Sequence, residues 1–507
     1  MRKPLLSLAA VALVASACSS SGLPASTYQA IDPGHHLPTY PPAYPPQPAA
    51  TPYGGVTYQN PGTNPPVDPI RDNQSTFGLD IDTASYTIAQ RYIHDGNLPD
   101  PSSVRVEEWV NAFAQDYPAP EEGTFGIVAD GGPTPFTDEG EVLLRIGLQA
   151  KSVPDRARQR AALTFVVDTS GSMAQGGRLD MVKDAMRILI RGLDREDRVA
   201  IVTFGDQAQV VLGPIAATNE AQILDALDGL QPGGSTNLEG GLRLGYELAR
   251  QTLTENGIDR IVLASDGVAN VGLTDSASIL EAIKRDADAG IELVSVGVGM
   301  GNYNDALLEQ LADQGDGFYA YINTVDEARK LFSEQLTSTL ETVALDARAQ
   351  VTFNPEAVKS YRLMGYENRA IADQQFTNPN VPAGAIGAGH AVTALYAVGL
   401  LRAGGPDSLL ATVDVRWTDP DRGSTAKVSR EIRTSDLAGS FGRADPHFKL
   451  DAIVAATAEV LRGSEFASRS SVRYVAGIAA VEARGLPATD EVHRFLELLG
   501  DLGRLRG

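Results

Sequence analysis

Between residues 163 and 343, short and nearly unbroken apolar runs alternate with longer stretches whose apolar residues recur every three or four positions. The runs over 163–167, 199–204, 261–264 and 291–298, with a shorter one near 318–322, predict strands buried on both faces. The stretches over 178–193, 220–230, 238–252, 276–289, 304–311 and 325–340 predict amphipathic helices. The alternation predicts an α/β fold class, a doubly wound and mostly parallel sheet with helices on both faces.

After residue 346 the period changes to two. Runs over 348–353, 392–400, 409–417 and 426–432 predict antiparallel strands, and 142–149, ahead of the α/β region, alternates in the same way. Strand-rich sequence on both sides predicts an α/β domain inserted into, or bracketed by, a β-sandwich-like region. A helical C-terminal segment follows over 447–462, 470–484 and 489–502. Two further helices are predicted upstream, over 86–94 and 104–113. The Asp80-x-Asp82 pair ahead of the first resembles the nucleophile motif of haloacid-dehalogenase phosphatases. Ala84 and the weak strand before Asp80 lack that motif's context, so Asp82 or Thr83 is read as a helix cap. The expected divisions are 1–17, 18–72, 73–159, 160–343 and 344–507.

Composition narrows the function classes. The 507 residues carry 64 Asp and Glu against 42 Lys and Arg, a formal charge of −22. That balance argues against nonspecific nucleic-acid binding and against docking on anionic lipid through a basic face. The single cysteine, Cys18, excludes a disulfide framework, a cysteine zinc site and a CxxC redox centre. The six histidines include no pair at helical i, i+4 spacing and no HExxH.

Cys18 has a context of its own. Arg2 and Lys3 precede a short apolar run, 5–14, and then Ala15-Ser16-Ala17-Cys18. The run is shorter than the ~20 residues that span a bilayer and reads as a secretory signal, residues 1–17. Small residues just before a cysteine resemble the lipobox of bacterial lipoproteins, with Ala15 where that motif prefers Leu. The resemblance implies a lipidated Cys18 and a chain held in the cell envelope by its lipid anchor alone. Ser19 fits outer-membrane sorting if the cell is Gram-negative. Twelve of the 30 prolines fall between Pro33 and Pro69, with few charges, so 18–72 reads as an extended tether.

The candidate chemistry sits at strand ends. The run over 163–167 leads into Asp168-Thr169-Ser170-Gly171-Ser172, and the run over 261–264 into Ser265-Asp266-Gly267. Between them, Pro232-Gly233-Gly234-Ser235-Thr236-Asn237 opens a helix. In an open α/β sheet these loops share the carboxyl edge, where ligands bind. The donors are carboxylate and hydroxyl oxygens, a set that suits Mg²⁺, or Ca²⁺ or Mn²⁺, and disfavours zinc and copper.

At these residues the chain resembles the von Willebrand factor A domain and its metal-ion-dependent adhesion site. Asp168, Ser170, Ser172, Thr236 and Asp266 fill the five positions of that motif. The resemblance implies serines and a threonine or second aspartate on a divalent ion, a first aspartate that orients them, and an open position for an acidic residue of a partner protein. The outer regions resemble an exported bacterial lipoprotein family with an A-domain-associated N-terminal region and a C-terminal domain of unknown function. The segments that carry this are 77–85, Arg105-Val106-Glu107-Glu108-Trp109-Val110-Asn111, 361–369 and 387–396. A metal-dependent hydrolase is the alternative, but no general base or Ser-His-Asp set is evident. A scaffold subunit with a metal-independent contact is another. An ATPase-coupled role lacks a Walker A sequence.

Overall fold

The computed structural model describes residues 58 and 60–505, apart from 155–156, 254–256, 267–275, 288, 300–304, 335, 380, 382, 402–404, 406 and 468–469. The predicted signal sequence, Cys18 and most of the Pro-rich stretch lie outside the described residues.

Three strands precede the α/β domain: β1 (Gln74–Gly78), β2 (Phe125–Gly132) and β3 (Glu141–Ala150). Six form its sheet: β4 (Ala161–Asp168), β5 (Arg198–Phe204), β6 (Ala208–Ala216), β7 (Ile258–Ser265), β8 (Ile291–Val298) and β9 (Tyr319–Ile322). Seven follow: β10 (Thr342–Phe353), β11 (Val358–Met364), β12 (Ala370–Ile371), β13 (Gly384–Gly387), β14 (Ala391–Leu400), β15 (Leu409–Thr418) and β16 (Thr425–Arg433).

The α/β sheet runs β6-β5-β4-β7-β8-β9. All neighbours are parallel except the edge pair β5 and β6. Every residue of β4 is buried, as are nearly all of β5, β7 and β8, because helices cover both faces. The chain leaves β4 toward β5 and later returns to pair β7 on its other side. The carboxyl end of β4 is therefore the switch point of the sheet.

The antiparallel strands form two packed sheets. One has the order β12-β1-β10-β15-β16, with β13 also on β10, and the other runs β11-β14-β3-β2. Phe77, Leu144, Ile146, Tyr396, Val351 and Val413 fill the space between them. The α/β domain enters after β3 and leaves at β10, so it is an insertion into this sandwich. A helical layer covers the outer face of the second sheet. The helix Pro446–Leu461 is buried along almost its whole length, between Val106–Asn111 and Val472–Glu482.

Several expectations need correction. The predicted tether reaches too far, because Val67 exchanges both backbone hydrogen bonds with Tyr361, at 2.8 and 3.0 Å, and Asn64 donates to the Gly365 carbonyl at 2.7 Å. That end of the Pro-rich stretch is stitched to β11. Thr83 occupies the N-cap position of the helix Ala84–His94, but its side chain makes no capping hydrogen bond, and Asp82 does not cap the helix. Asp82 instead accepts a hydrogen bond from the Tyr319 amide, 3.0 Å, and pairs with Arg369. The single helix expected over 325–340 is Val325–Arg329, a π-helical turn over Lys330–Glu334, and Leu336–Leu340. Its buried residues Ala328, Phe332, Leu336 and Leu340 recur every four positions, a stripe that a regular α-helix would turn by about 40° per step. The wider turn keeps that stripe on the core.

Candidate functional site

β4 delivers Asp168 to the carboxyl edge with no exposed surface. One carboxylate oxygen, Oδ1, accepts from the Ser170 amide at 2.8 Å, and Oδ2 accepts from the Ser265 hydroxyl at 2.7 Å. The first bond closes a tight turn that lifts Ser170 and Ser172 above the carboxylate. Their hydroxyl oxygens lie 3.0 Å apart. Burial pushes the Asp168 carboxyl up to about 6; the Asp266 charge adds to the rise, and the Ser170 and Ser265 hydrogen bonds oppose it.

The third loop is pinned from both sides. The Gly233 amide donates to the Thr169 carbonyl at 2.7 Å, and the Gly171 amide donates to the Gly234 carbonyl at 3.0 Å. Thr236 follows, buried, and Asn237 caps the helix Leu238–Arg250 by accepting from the Gly240 amide at 2.9 Å. That helix lies very close to the sheet. A Cβ on Gly245 would sit 2.5 Å from Val166, and one on Gly241 2.6 Å from Phe204. Glycine at both positions seats the helix and so sets the height of Thr236 on the rim. Asp266 directly follows β7, fully buried, next to the Ser265 that bonds Asp168.

The structure therefore gathers all five predicted residues, Asp168, Ser170, Ser172, Thr236 and Asp266, on one edge. The loop over 231–234 is exposed and Ser172 half-buried, so the rim faces solvent there. Among the described residues no group of three or more His, Cys, Asp or Glu side chains could hold a metal. Any cation here would depend on the hydroxyls. Oxygens around Mg²⁺ stand ~2.0–2.1 Å from the ion, which puts neighbouring ligands about 2.9 Å apart, and the serine pair matches that spacing. The donor set thus fits a hard divalent cation, held by Ser170, Ser172 and Thr236 with Asp168 and Asp266 behind them.

Three rim residues escaped the motif. Ser265 holds Asp168. Asp206, on the loop after β5, accepts from both the amide and the hydroxyl of Ser235 at 2.7 Å. Arg178 pairs with Asp266 at 2.7 Å and donates to the Ser172 carbonyl at 3.3 Å. Arg178 was detectable in principle, since it is the first residue of a helix, where a cation opposes the helix dipole.

The second set of flagged residues is structural. Glu108 accepts from the Ser85 amide, 2.7 Å, and pairs with Arg105, 2.8 Å. Asn111 accepts from the Thr393 amide at 2.8 Å. These bonds tie the first two helices to each other and to β14.

Comparison with known proteins agrees with this architecture. Residues 163–268 match the von Willebrand factor type A domain, 53–145 match a region described as von Willebrand factor, and 338–408 match the C-terminal domain of the uncharacterized protein YfbK. The chain is 36% identical over 444 residues to YfbK of Escherichia coli (strain K12), covering 82% of this chain and 76% of that one. It is 30% identical over 215 residues to the uncharacterized protein sll0103 of Synechocystis, covering 42% and 50%. Among solved structures, a von Willebrand factor type A protein from Catenulispora acidiphila aligns with a TM-score of 0.46 at 16% identity, covering 76% of this chain and 91% of that one. With the A domain inserted in a sandwich and its relative matched across most of both lengths, the chain belongs to the YfbK family of von Willebrand factor type A domain proteins.

Proposed function

We propose that this chain is an exported, lipid-anchored envelope protein that grips a partner protein through a divalent cation, Mg²⁺ or else Ca²⁺ or Mn²⁺, on the rim of its A domain. A von Willebrand factor A domain suggests protein–protein contact or adhesion, and the match over 163–268 supports that reading. The observation that carries the finer reading is the serine pair, 3.0 Å apart, over the buried Asp168. A bound cation would supply Lewis acidity toward a carboxylate of the partner. The residues themselves do the positioning: Ser265 and the Ser170 amide hold Asp168, and the pinned loop holds Thr236.

The reading is of binding, not catalysis. All three rim carboxylates are engaged, Asp168 by Ser170 and Ser265, Asp266 by Arg178 and Asp206 by Ser235, which supports binding over general-base chemistry. The envelope assignment is supported by the lipobox-like sequence at Cys18. No helix among the described residues is long and apolar enough to cross a membrane.

Melting of the full chain with Mg²⁺, Mn²⁺ or EDTA tests the cation. Binding raises the melting temperature by mass action in the wild type, and Asp168→Ala or Ser172→Ala removes the rise. Identical wild-type curves in all three conditions sink the reading. Crosslinking in cells with wild type and Ser172→Ala identifies the partner. Because the chain carries −22, its long-range field repels an acidic partner, so chelator abolishes the contact while added salt barely weakens it. Cys18→Ala moves the protein into the soluble fraction; retention in membranes refutes the anchor.

A further inference from the structure

The rim contains a cation of its own. The Arg178 side chain is only 7% exposed, and its guanidinium meets Asp266 at 2.7 Å and the Ser172 carbonyl at 3.3 Å. It begins the helix Arg178–Arg191, at the positive end of the helix dipole, where a buried guanidinium is disfavoured unless an anion holds it. Space is cleared for it as well. Gly299, just past β8, has φ +76°, and a Cβ there would lie 2.2 Å from the Arg178 Nε. Arg178 thus links the serine loop, the residue after β7 and the end of β8, and places its positive charge against the Asp266 carboxylate.

We propose that Arg178 is a built-in counter-cation of Asp266. It neutralises that carboxylate when no metal is present and competes with the divalent cation for it, so that it holds the metal affinity of the rim down while keeping the metal-free rim folded. The inference rests on the cation-site reading above and specifies how that site is regulated. Its physical basis is charge: two carboxylates without Arg178 attract a divalent ion more strongly than two carboxylates with it, and Asp266 Oδ2 is already a hydrogen-bond acceptor of the guanidinium.

The test titrates Mg²⁺ alone into the full chain in mild detergent by calorimetry, beside melting curves in EDTA and in Mg²⁺. Arg178→Gln binds Mg²⁺ roughly 10–100-fold more tightly, the scale on which residues behind the ligands tune metal sites. It also melts lower in EDTA, and the gap between its two melting curves widens. Arg178→Lys, which keeps the charge, stays within a few fold of wild type. Gly299→Ala keeps the charge but crowds the guanidinium off Asp266; it tightens binding by a smaller factor and decides the matter if Arg178→Gln does not fold. A wild type that binds Mg²⁺ while Arg178→Gln, or failing that Gly299→Ala, binds equally or more weakly overturns the counter-cation role and leaves the cation site standing. No binding by any of the four proteins overturns both. Binding by Arg178→Gln but not by wild type refutes the cation-site reading for the natural chain, and with it a regulatory role for Arg178.

Discussion

Arg369 holds together the junction between the A domain and the sequence around it, and removing it should be among the most damaging single changes in the molecule. Its guanidinium reaches Asp80 and Asp82 at 3.0 Å, Glu309 at 3.3 Å and Asp313 at 2.5 Å. Arg105 joins the cluster through Glu108 at 2.8 Å and Glu309 at 2.9 Å. Five carboxylates thus face two guanidinium groups in a largely buried space, and Arg369→Met leaves one cation for all five. Breaking a buried ion pair from one side costs about 3–5 kcal/mol.

The cost depends on pH, and its sign is fixed. Burial pushes the Asp313 carboxyl up to about 6 and raises that of Asp82 as well, even with Arg369 in place. A carboxyl raised in this way binds its proton more tightly in the folded chain than in the unfolded one. Its stabilising share is complete below pH ~4 and is lost as pH rises through the folded value. Without Arg369 both carboxyls shift further up, so acid relieves the variant more than the wild type. The expected loss is about 3–5 kcal/mol at pH 8 and smaller by roughly 1–3 kcal/mol at pH 5. Urea unfolding of the full chain measures this, with Trp417→Phe in both arms. Trp109 then remains as the single tryptophan, fully buried in the helical layer beside the cluster. A loss below about 1 kcal/mol at pH 8, or equal losses at both pH values, would show that water screens the cluster and would refute this account.

Three further substitutions test burial and close packing. Glu107 is buried, and burial and then the Glu367 charge push its carboxyl up to about 7 from 4.5. Between pH 5 and 9 the wild type should lose roughly 3 kcal/mol more stability than Glu107→Gln, which lacks this group; parallel pH profiles would contradict it. Gly245→Ala should destabilise by up to about 2 kcal/mol, because overpacking against Val166 outweighs the better helix propensity. The same change at Gly503, where nothing lies within 4 Å, should stabilise by about 0.5–1 kcal/mol; melts that move in the same direction for both would refute the close-packing argument.

The sequence alone determined the parts whose cause is local. The strands β4, β5, β7 and β8 are continuous apolar runs, and the helices between them repeat at helical spacing, so both were legible as written. The carboxylates and hydroxyls of the rim were legible by position for the same reason, since Asp168 ends β4 with Ser170 and Ser172 just after it, Asp266 follows β7 and Thr236 precedes a helix. Strands whose reason lies elsewhere were not. β2 and β13 are rich in glycine because neighbours crowd them: a Cβ on Gly131 would lie 2.5 Å from the Leu143 carbonyl, and one on Gly387 1.9 Å from that of Ser338. β6 contains Pro214 and is tolerated as an edge. Asp82 looked like a cap because the sequence around it is a helix start, and only folding brings Tyr319 and Arg369 within reach. Arg178 meets its partner across 88 residues of chain. Backbone propensity and periodicity act over a few residues and can be read in order. Buried charge is decided by which groups share a desolvated space, and only the tertiary structure assigns those neighbours.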